Sequence, residues 1–264
     1  MKSLLSQVLE PYKEKGRNFI VNIIKELLQE VILYYLSRKG YGGKLIFEGG
    51  TCLRFVYGLK RFSEDIDFSI KEEIDTKRLF VEIETELKLQ GYDVEIKESG
   101  SGSLKRCFYK FPGLLDFCGI LSQKGEKISV LVEIDTNPPP GGNTEETLLN
   151  RNFLFTVIHY TLPSLMAKKI HAIFFRGFDK GRDYFDLFWM LAKGIEPNIE
   201  LLNNAREQTH SSFPEFTSGN WKNILMDHIE KREMKKIRRD IMPFLENPED
   251  INLIGKKNFL KLLT

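Results

Sequence analysis

The distribution of apolar residues predicts two helices in the N-terminal third of the chain. Over residues 17–38, isoleucine, leucine, valine and tyrosine recur every three or four positions, which is the spacing of one helical face. Residues 76–90 show the same spacing, with Asp75 or Thr76 positioned to cap the first turn and Gly91 beyond the last. We therefore predict two amphipathic helices, of which the first is the longer.

Shorter apolar runs and alternating patterns predict β-strands in the same half of the chain. Clusters of glycine, serine or asparagine, which commonly end strands, separate these runs. The predicted strands cover residues 45–47, 66–70, 92–97, 104–111, 117–121 and 128–135. The Asn-Pro-Pro-Pro-Gly-Gly run at 137–142 can continue neither a strand nor a helix, so it is predicted to be a loop.

Beyond residue 161 the pattern becomes helical and strand signals nearly vanish. Residues 162–175, 182–192 and 221–241 are the predicted helices. The change of pattern predicts an α/β (α+β) fold with two lobes. An N-terminal lobe with a mixed sheet would cover residues 1–160, and a C-terminal helical lobe would cover residues 161–264.

Composition and charge are those of an ordinary globular protein. The 264 residues are 42% hydrophobic and 29% charged, which argues against disorder and against a fibrous repeat. A net charge of +2 does not by itself indicate a nucleic-acid-binding protein. The three cysteines lack the close paired spacing of a disulfide framework or a metal cluster. Because no apolar run has the length of a signal peptide core or a membrane span, we expect a soluble, cytoplasmic protein with no membrane partner.

Two acidic residues, Asp65 and Asp67, flank Ile66 at the start of a predicted strand. Side chains at positions i and i+2 of a strand point to the same face, so both carboxylates share one side. Adjacent carboxylates repel each other unless a cation lies between them, and hard oxygen ligands suit magnesium or manganese together with substrate phosphates. By itself, however, an Asp-x-Asp is more often a solvated acidic turn.

The upstream residues Gly49, Gly50 and Thr51 change that interpretation. They are predicted to form a turn before the start of a helix, where backbone N–H groups and a hydroxyl can bind an anion such as a triphosphate. Taken alone, a plain turn capped by Thr51 is the simpler explanation. A phosphate-binding turn followed by paired carboxylates, in contrast, predicts a nucleotide–metal site within one unit of the chain.

A third carboxylate would complete a two-metal arrangement. Glu133 and Asp135 share one face of the predicted strand 128–135, and apolar residues line the other face. Periodicity does not separate the two acids, so both are candidate metal ligands.

These motifs resemble the signature of the AbiEii toxin family, within the DNA polymerase β nucleotidyltransferase superfamily. The first block of the resemblance is Gly49-Gly50-Thr51-x-Leu53-Arg54-x-x-Tyr57 followed by Arg61-Phe62-Ser63-Glu64-Asp65-Ile66-Asp67-Phe68. The second block is Lys168-Lys169-Ile170-His171-Ala172, then Arg176, then Arg182-Asp183-Tyr184-Phe185-Asp186-Leu187. In order, the motifs span somewhat more than half of the chain, which chance rarely supplies.

The resemblance implies transfer of one or more nucleoside monophosphates from an NTP to an acceptor, with release of pyrophosphate and with Mg²⁺ or Mn²⁺ as cofactor. Some relatives are toxins of toxin–antitoxin or phage-defence (abortive infection) pairs, and some modify the 3′ end of tRNA. The partners implied for this chain are therefore an NTP, an RNA acceptor such as tRNA, and a cognate antitoxin.

The same resemblance implies site residues from both lobes, with the helical lobe contributing a lysine and an aspartate to the cleft. The catalytic residues would be Asp65, Asp67, Lys169 and Asp183. The nucleotide-binding residues would be Gly49, Gly50 and Thr51, with Arg182 and Asp186 in support. Helical periodicity brings Lys168 nearer to the core side than Lys169, so only the resemblance selects Lys169. A plainer interpretation is an i,i+4 ion pair of Arg182 with Asp186, and Asp183 as a free acid or an N-cap.

Basic residues are concentrated in the predicted helix 221–241 and beyond it, at Lys231, Arg232, Lys235, Lys236, Arg238, Arg239, Lys256, Lys257 and Lys261. Such a patch fits the backbone of an RNA acceptor and equally fits a solvated helical face. Two other functions remain open. A small-molecule (antibiotic-type) nucleotidyltransferase would need an acidic acceptor pocket, and a non-catalytic RNA- or partner-binding protein has little reason to keep the two repelling aspartates.

Overall fold

The structure is a computed structural model that describes residues 2–121, 123, 125–210 and 212–264. Within these residues the strands are β1 (Leu45–Glu48), β2 (Asp65–Ile70), β3 (Glu95–Ser101), β4 (Leu104–Phe111), β5 (Ile128–Asp135), β6 (Thr144–Asn150) and β7 (Leu154–Tyr160). The helices are α1 (Lys2–Leu9), α2 (Arg17–Arg38), α3 (Gly49–Phe55), α4 (Thr76–Leu89), α5 (Leu114–Phe117), α6 (Leu162–Phe175), α7 (Gly181–Ala192), α8 (Ile199–His210), α9 (Trp221–Glu230), α10 (Met234–Ile241) and α11 (Lys256–Leu263). The predicted α/β (α+β) class with a mixed sheet is confirmed.

A seven-stranded mixed sheet has the strand order β3-β4-β5-β2-β1-β7-β6, so β2 is its central strand. Strand β2 runs parallel to β5 and antiparallel to β1. One face of these strands is apolar, with Ile66 and Phe68 of β2 and alternate residues of β5 buried. Helix α4 packs on this face, where Tyr109 Oη donates to the Phe80 carbonyl at 3.0 Å. The acids of β2 and β5 therefore lie on the opposite face.

Several predicted elements have the bounds that their apolar spacing indicated. Helix α2 covers Arg17–Arg38, and α4 begins after Asp75, whose carboxylate accepts from the Arg78 N–H at 3.0 Å. Strands β4 and β5 have the predicted bounds. Helix α4 buries residues three or four apart, and β4 and β5 bury alternate residues, because one face of each element is removed from water. Helix α2 is instead buried on nearly all sides, with every residue from 26 to 33 buried, so the predicted amphipathic pattern does not describe it.

Other secondary-structure predictions were wrong or missed an element. Residues 117–121 form no strand, because Gly113 and Gly119 both adopt positive φ angles, of 68° and 70°, and Leu114–Phe117 form a helical turn between them. The predicted helix 221–241 is two helices, α9 and α10, since Glu233 has ψ 87° and interrupts the helical backbone. Strands β6 and β7 were not predicted, and β6 lies at the sheet edge with only Leu149 buried.

The chain divides into two compact units, each contributed by more than one segment. Unit 1 comprises Met1–Tyr57, Phe62–Asn137 and Glu146–His159. Unit 2 comprises Gly58–Arg61, Pro138–Glu145 and Tyr160–Thr264. Within the described residues, none of the helices combines the length and the hydrophobicity that crossing a membrane requires. All three cysteines, Cys52, Cys107 and Cys118, are free thiols.

Candidate active site

In unit 1, the Asp-x-Asp motif lies at the start of the central strand. Asp65 and Asp67 share the non-apolar face of β2, and both are partly exposed, whereas Ile66 between them is buried. Asp67 is in register with Glu133 on β5 and with Glu48 on β1. Neighbouring strands are ~4.8 Å apart and in-register side chains share a face, so Asp67 has a carboxylate on each side.

Gly49, at the start of α3, makes room for the Asp67 carboxylate. Its φ angle is +74°, and a Cβ at this position would lie 2.0 Å from Asp67 Oδ2 and 2.8 Å from Asp67 Cγ. A side chain at residue 49 would therefore meet both backbone strain and the Asp67 carboxylate. The glycine thus allows the backbone at the start of α3 to lie directly against this carboxylate.

Thr51 attaches the start of α3 to β2, and Cys52 is buried next to it in α3. Thr51 is fully buried, and its Oγ1 donates to the main-chain carbonyl of Asp65. The hydroxyl that was expected to bind phosphate thus holds the helix to the first residue of β2. Burial, and secondarily the carboxylates of Glu48 and Asp67, raises the pKa of the Cys52 thiol well above its usual range. Cys52 therefore stays protonated at neutral pH and is a poor metal ligand.

Glu133 and Asp135 differ in their distance from Asp67 along the sheet. Glu133 is in register with Asp67, and its carboxylate also accepts from Arg106 of β4. Asp135 is in register with Ser69, one step further along the same face, and its Oδ1 accepts from the Asn137 N–H at 2.9 Å. In the described part of the chain, no three His, Cys, Asp or Glu side chains form a group able to hold a metal ion. The oxygen-only donors around Asp67 nevertheless suit a hard divalent cation.

In unit 2, the downstream motif forms a buried cluster of opposite charges. Lys169 Nζ of α6 lies 2.8 Å from Asp183 Oδ1 and 2.8 Å from Asp186 Oδ2, both on α7. Arg61 holds Asp186 through two bonds of 2.6 Å, from Nε to Oδ1 and from Nη2 to Oδ2. Arg176 Nη1 lies 2.5 Å from Asp183 Oδ2. Each carboxylate thus contacts two cations.

The cluster sets the charges of its members. Burial by itself would lower the pKa of Lys169, but the carboxylates of Asp183 and Asp186 outweigh it and the net pKa is raised. Burial would likewise raise the pKa of Asp183, but Lys169 and Arg176 lower it to about 2. Lys169 is therefore a cation and Asp183 an anion throughout the physiological pH range.

The structure decides between alternative residue roles that the sequence left open. Lys168 Nζ lies over the Tyr160 ring, 5.0 Å from its centroid, so it is Lys169 that joins the acids. Asp183 is not an N-cap, because α7 begins at Gly181 and Lys180 precedes it as the cap residue. Asp186 is held by Arg61 and Lys169, whereas spacing had suggested Arg182, whose guanidinium carbon lies 4.3 Å from the Phe244 ring centroid.

Sequence reasoning gave no role to three residues that the structure brings to these clusters. Glu48 is 8% exposed and accepts from Ser69 Oγ at 3.2 Å. Arg61 is 1% exposed, and its partner Asp186 is 125 residues away in the chain. Arg176 ends α6 as its C-cap residue. The only sequence signal for Glu48 was its place before the double glycine, and no local pattern links Arg61 to a distant acid.

Comparison with known proteins decides the family. A profile of the nucleotidyl transferase AbiEii toxin family, described as type IV toxin–antitoxin, matches residues 31–259, well over half of the chain. The chain belongs to the AbiEii nucleotidyltransferase toxin family. This confirms the resemblance to the AbiEii family that the two motif blocks indicated. The family implies a nucleotide substrate and an antitoxin partner.

Two solved structures share the fold of this AbiEii-family chain. The nucleotidyltransferase toxin MenT4 from Mycobacterium tuberculosis superimposes with a TM-score of 0.62 at 16% identity, covering 100% of this chain and 89% of the other. A candidate nucleotidyltransferase from H. pylori gives a TM-score of 0.51 at 18% identity, covering 89% and 90%. No functionally curated sequence matches the chain. At these identities the two structures support the fold alone.

Proposed function

We propose that this AbiEii-family protein transfers a nucleoside monophosphate from an NTP to an RNA acceptor, such as the 3′ end of tRNA, as the toxin of a toxin–antitoxin or phage-defence pair. The observation that carries the proposal is the packing around Asp67. Its carboxylate is in register with Glu133 and occupies the space that Gly49 leaves without a Cβ. An acidic residue with only a structural role does not need its carboxylate packed against a glycine backbone, whereas a metal ligand must be held in a fixed position.

In the proposed reaction, the acceptor hydroxyl oxygen forms a bond to the α-phosphorus and the bond to the β-phosphate oxygen breaks, which releases pyrophosphate. The hydroxyl proton passes to one of the carboxylates beside Asp67, which lie on β1, β2 and β5. Asp65 and Asp67, with Glu133, would hold Mg²⁺ or Mn²⁺, which would neutralise triphosphate charge. The backbone of Gly49 and Gly50 would bind phosphate oxygens.

The family resemblance assigns Lys169 to the triphosphate, and in unit 2 its ammonium group is held by Asp183 and Asp186. Asp183, with a pKa of about 2, is too weak a base to accept the hydroxyl proton efficiently. We therefore assign Asp183 as a positioning residue that orients Lys169 and Arg176, both of which it contacts. Asp186 shares this role, because it contacts Lys169 and is held in turn by Arg61.

Charge on the C-terminal helices supports RNA as the acceptor. Lys235, Lys236 and Arg239 of α10 are exposed, although Lys236 also pairs with Glu233 at 2.6 Å. Exposed cations on one short helix can neutralise successive backbone phosphates without reading sequence. The same surface would repel a cationic aminoglycoside-like acceptor.

The direct test is transfer of label from each α-labelled NTP, with magnesium, to total tRNA. We expect labelled RNA that disappears when a chelator is added or when the RNA 3′ hydroxyls are blocked by periodate oxidation. If label reaches small molecules but no RNA, the acceptor is a small molecule and the RNA proposal is wrong. If label reaches no acceptor, the transferase proposal is refuted.

The Gly49→Ala substitution should lower the rate of transfer by about 100-fold or more, since a displacement of a reacting group by ~1 Å has a cost of that order. The new methyl group would displace the Asp67 carboxylate, which lies 2.0 Å from the Cβ position. The matched control is Gly40→Ala, whose φ of +81° imposes similar strain with no atom within 4 Å of the Cβ. Equal activity of both variants would show that the Gly49 contact is not needed.

Glu133→Gln should reduce transfer more than Asp135→Asn, by about 10-fold or more between the two variants. The reason is register: Glu133 is paired with Asp67, whereas Asp135 is paired with Ser69 and accepts from the Asn137 N–H. Both substitutions remove one charge and keep the size, so each controls for the other. Initial rates at saturating magnesium decide the question, and the reverse order would select Asp135 as third carboxylate.

A further inference from the structure

Phe178 is a large apolar side chain presented to solvent in unit 2. It lies between α6 and α7, and 68% of its surface is exposed. Burying an exposed phenylalanine stabilises by about 2 kcal/mol, a contribution that the folded chain does not obtain from Phe178.

The segment that follows Phe178 is anchored. Asp179 accepts from Tyr184 Oη at 2.5 Å, and its other oxygen lies 3.6 Å from Arg232 Nη1. The Asp183 N–H donates to the Lys180 carbonyl at 2.9 Å. Because these contacts fix the residues that follow it, the Phe178 ring is held outward by a tethered segment.

A guanidinium lies beside the ring and connects it to the buried charge cluster. Arg176 Cζ is 5.6 Å from the Phe178 ring centroid, and Arg176 Nη1 contacts Asp183 Oδ2 at 2.5 Å. The ring is therefore two residues from a side chain that reaches the proposed positioning acid. An exposed aromatic face beside a guanidinium is the pairing that stacks on a nucleobase and contacts its phosphate.

The basic helix α10 packs against the start of α7, the helix that follows Phe178. The Gly181 N–H donates to Asp240 Oδ2 at 2.6 Å, and a Cβ at Gly181 would lie 2.4 Å from the Ile237 carbonyl oxygen. This close approach, which glycine permits, brings the exposed cations of α10 to the helix end that follows Phe178. Unit 2 therefore carries an exposed aromatic ring shortly before α7 and, packed against the start of α7, a short helix with exposed cations.

We propose that Phe178 is a stacking residue for an unpaired base of a single-stranded RNA segment, whose backbone phosphates contact Arg176 and the cations of α10. This inference rests on the proposed function for the identity of the acceptor. It adds the residue that engages the acceptor's base. Stacking of this kind tolerates any base, because every base presents a flat π-face.

Binding of a fluorescein-labelled single-stranded oligoadenylate to the full chain, measured by anisotropy without magnesium or NTP, tests the proposal. Phe178→Ala should raise Kd about 5- to 150-fold, the range found when one stacking aromatic is removed. Phe178→Trp should keep Kd within a few-fold of the wild type. The slope of log Kd against log salt should be unchanged in Phe178→Ala, because the phosphate contacts remain.

The matched control is Leu253→Ala, which removes another exposed apolar side chain of unit 2, 47% exposed, and should leave Kd unchanged. Equal Kd values for Phe178→Ala and the wild type would overturn the proposal. So would a Phe178→Ala defect confined to the KM of the NTP or to antitoxin binding, since the ring would then serve another ligand. Because the assay needs no transfer, oligoadenylate binding can succeed or fail independently of catalysis.

Discussion

Asp67→Asn is expected to lower the rate of nucleotidyl transfer by about 1,000-fold or more. A metal-ligating carboxylate contributes several kcal/mol of transition-state stabilisation, and each 1.36 kcal/mol is a tenfold change in rate. Asparagine keeps the shape of the side chain and the contact with Gly49 but removes the charge. The measurement is the initial rate of label transfer from NTP to tRNA for the purified variant and the wild type.

The same substitution should leave the free energy of unfolding unchanged or raise it. Asp67 is in register with Glu48 on one side and Glu133 on the other, and like charges on paired positions destabilise a sheet. A loss of activity with no loss of stability distinguishes a catalytic acid from a structural one. Asp93→Asn, at an exposed acid of unit 1, is the matched control and should change neither quantity. Wild-type transfer by Asp67→Asn would remove this carboxylate from the mechanism.

Arg61→Met should lower the free energy of unfolding by about 3–5 kcal/mol, the usual cost of removing one partner of a buried ion pair. Arg61 is 1% exposed and Asp186 is fully buried, with two bonds of 2.6 Å between them. Lys169 also contacts Asp186, at 2.8 Å, but it is shared with Asp183. The variant would therefore leave the Asp186 carboxylate with half of its compensation. Denaturant unfolding, followed by fluorescence and circular dichroism, measures the change.

Two further variants make this result interpretable. The double variant Arg61→Met with Asp186→Leu should recover part of the lost stability, because no buried charge is left without its partner. Arg239→Met removes an exposed arginine from the same unit and should change stability by less than about 0.5 kcal/mol. A loss below ~1 kcal/mol in Arg61→Met would show that the cluster is more hydrated than its burial indicates.

Local pattern was sufficient where the apolar residues of an element recur with the period of a helix or a strand. Helix α2 and strands β4 and β5 have the bounds that their apolar period predicted. The pattern failed at residues 117–121, where two glycines with positive φ reverse the chain. It also failed for edge strand β6, which buries one residue and therefore carries little period-2 signal.

For the candidate site too, local sequence predicted some features and only the fold determined the others. The motifs alone indicated the family, the Asp-x-Asp pair on one strand face, and the glycine turn ahead of it, because these depend on residues close together in the chain. The preference for Lys169 over Lys168 came from the resemblance, since periodicity pointed to the other residue. In the structure, Lys169 contacts Asp183 at 2.8 Å and Lys168 lies over Tyr160.

The amino-acid sequence by itself determined the fold class, the family and the strand that carries Asp65 and Asp67. Tertiary structure alone decided which acids flank Asp67 and which cation holds Asp186. The reason is strand order and register: Glu48 and Glu133 lie beside Asp67 because β1 and β5 pair with β2 at those residues. Likewise, Arg61 reaches Asp186 across 125 residues of chain, a distance over which no local periodicity carries information.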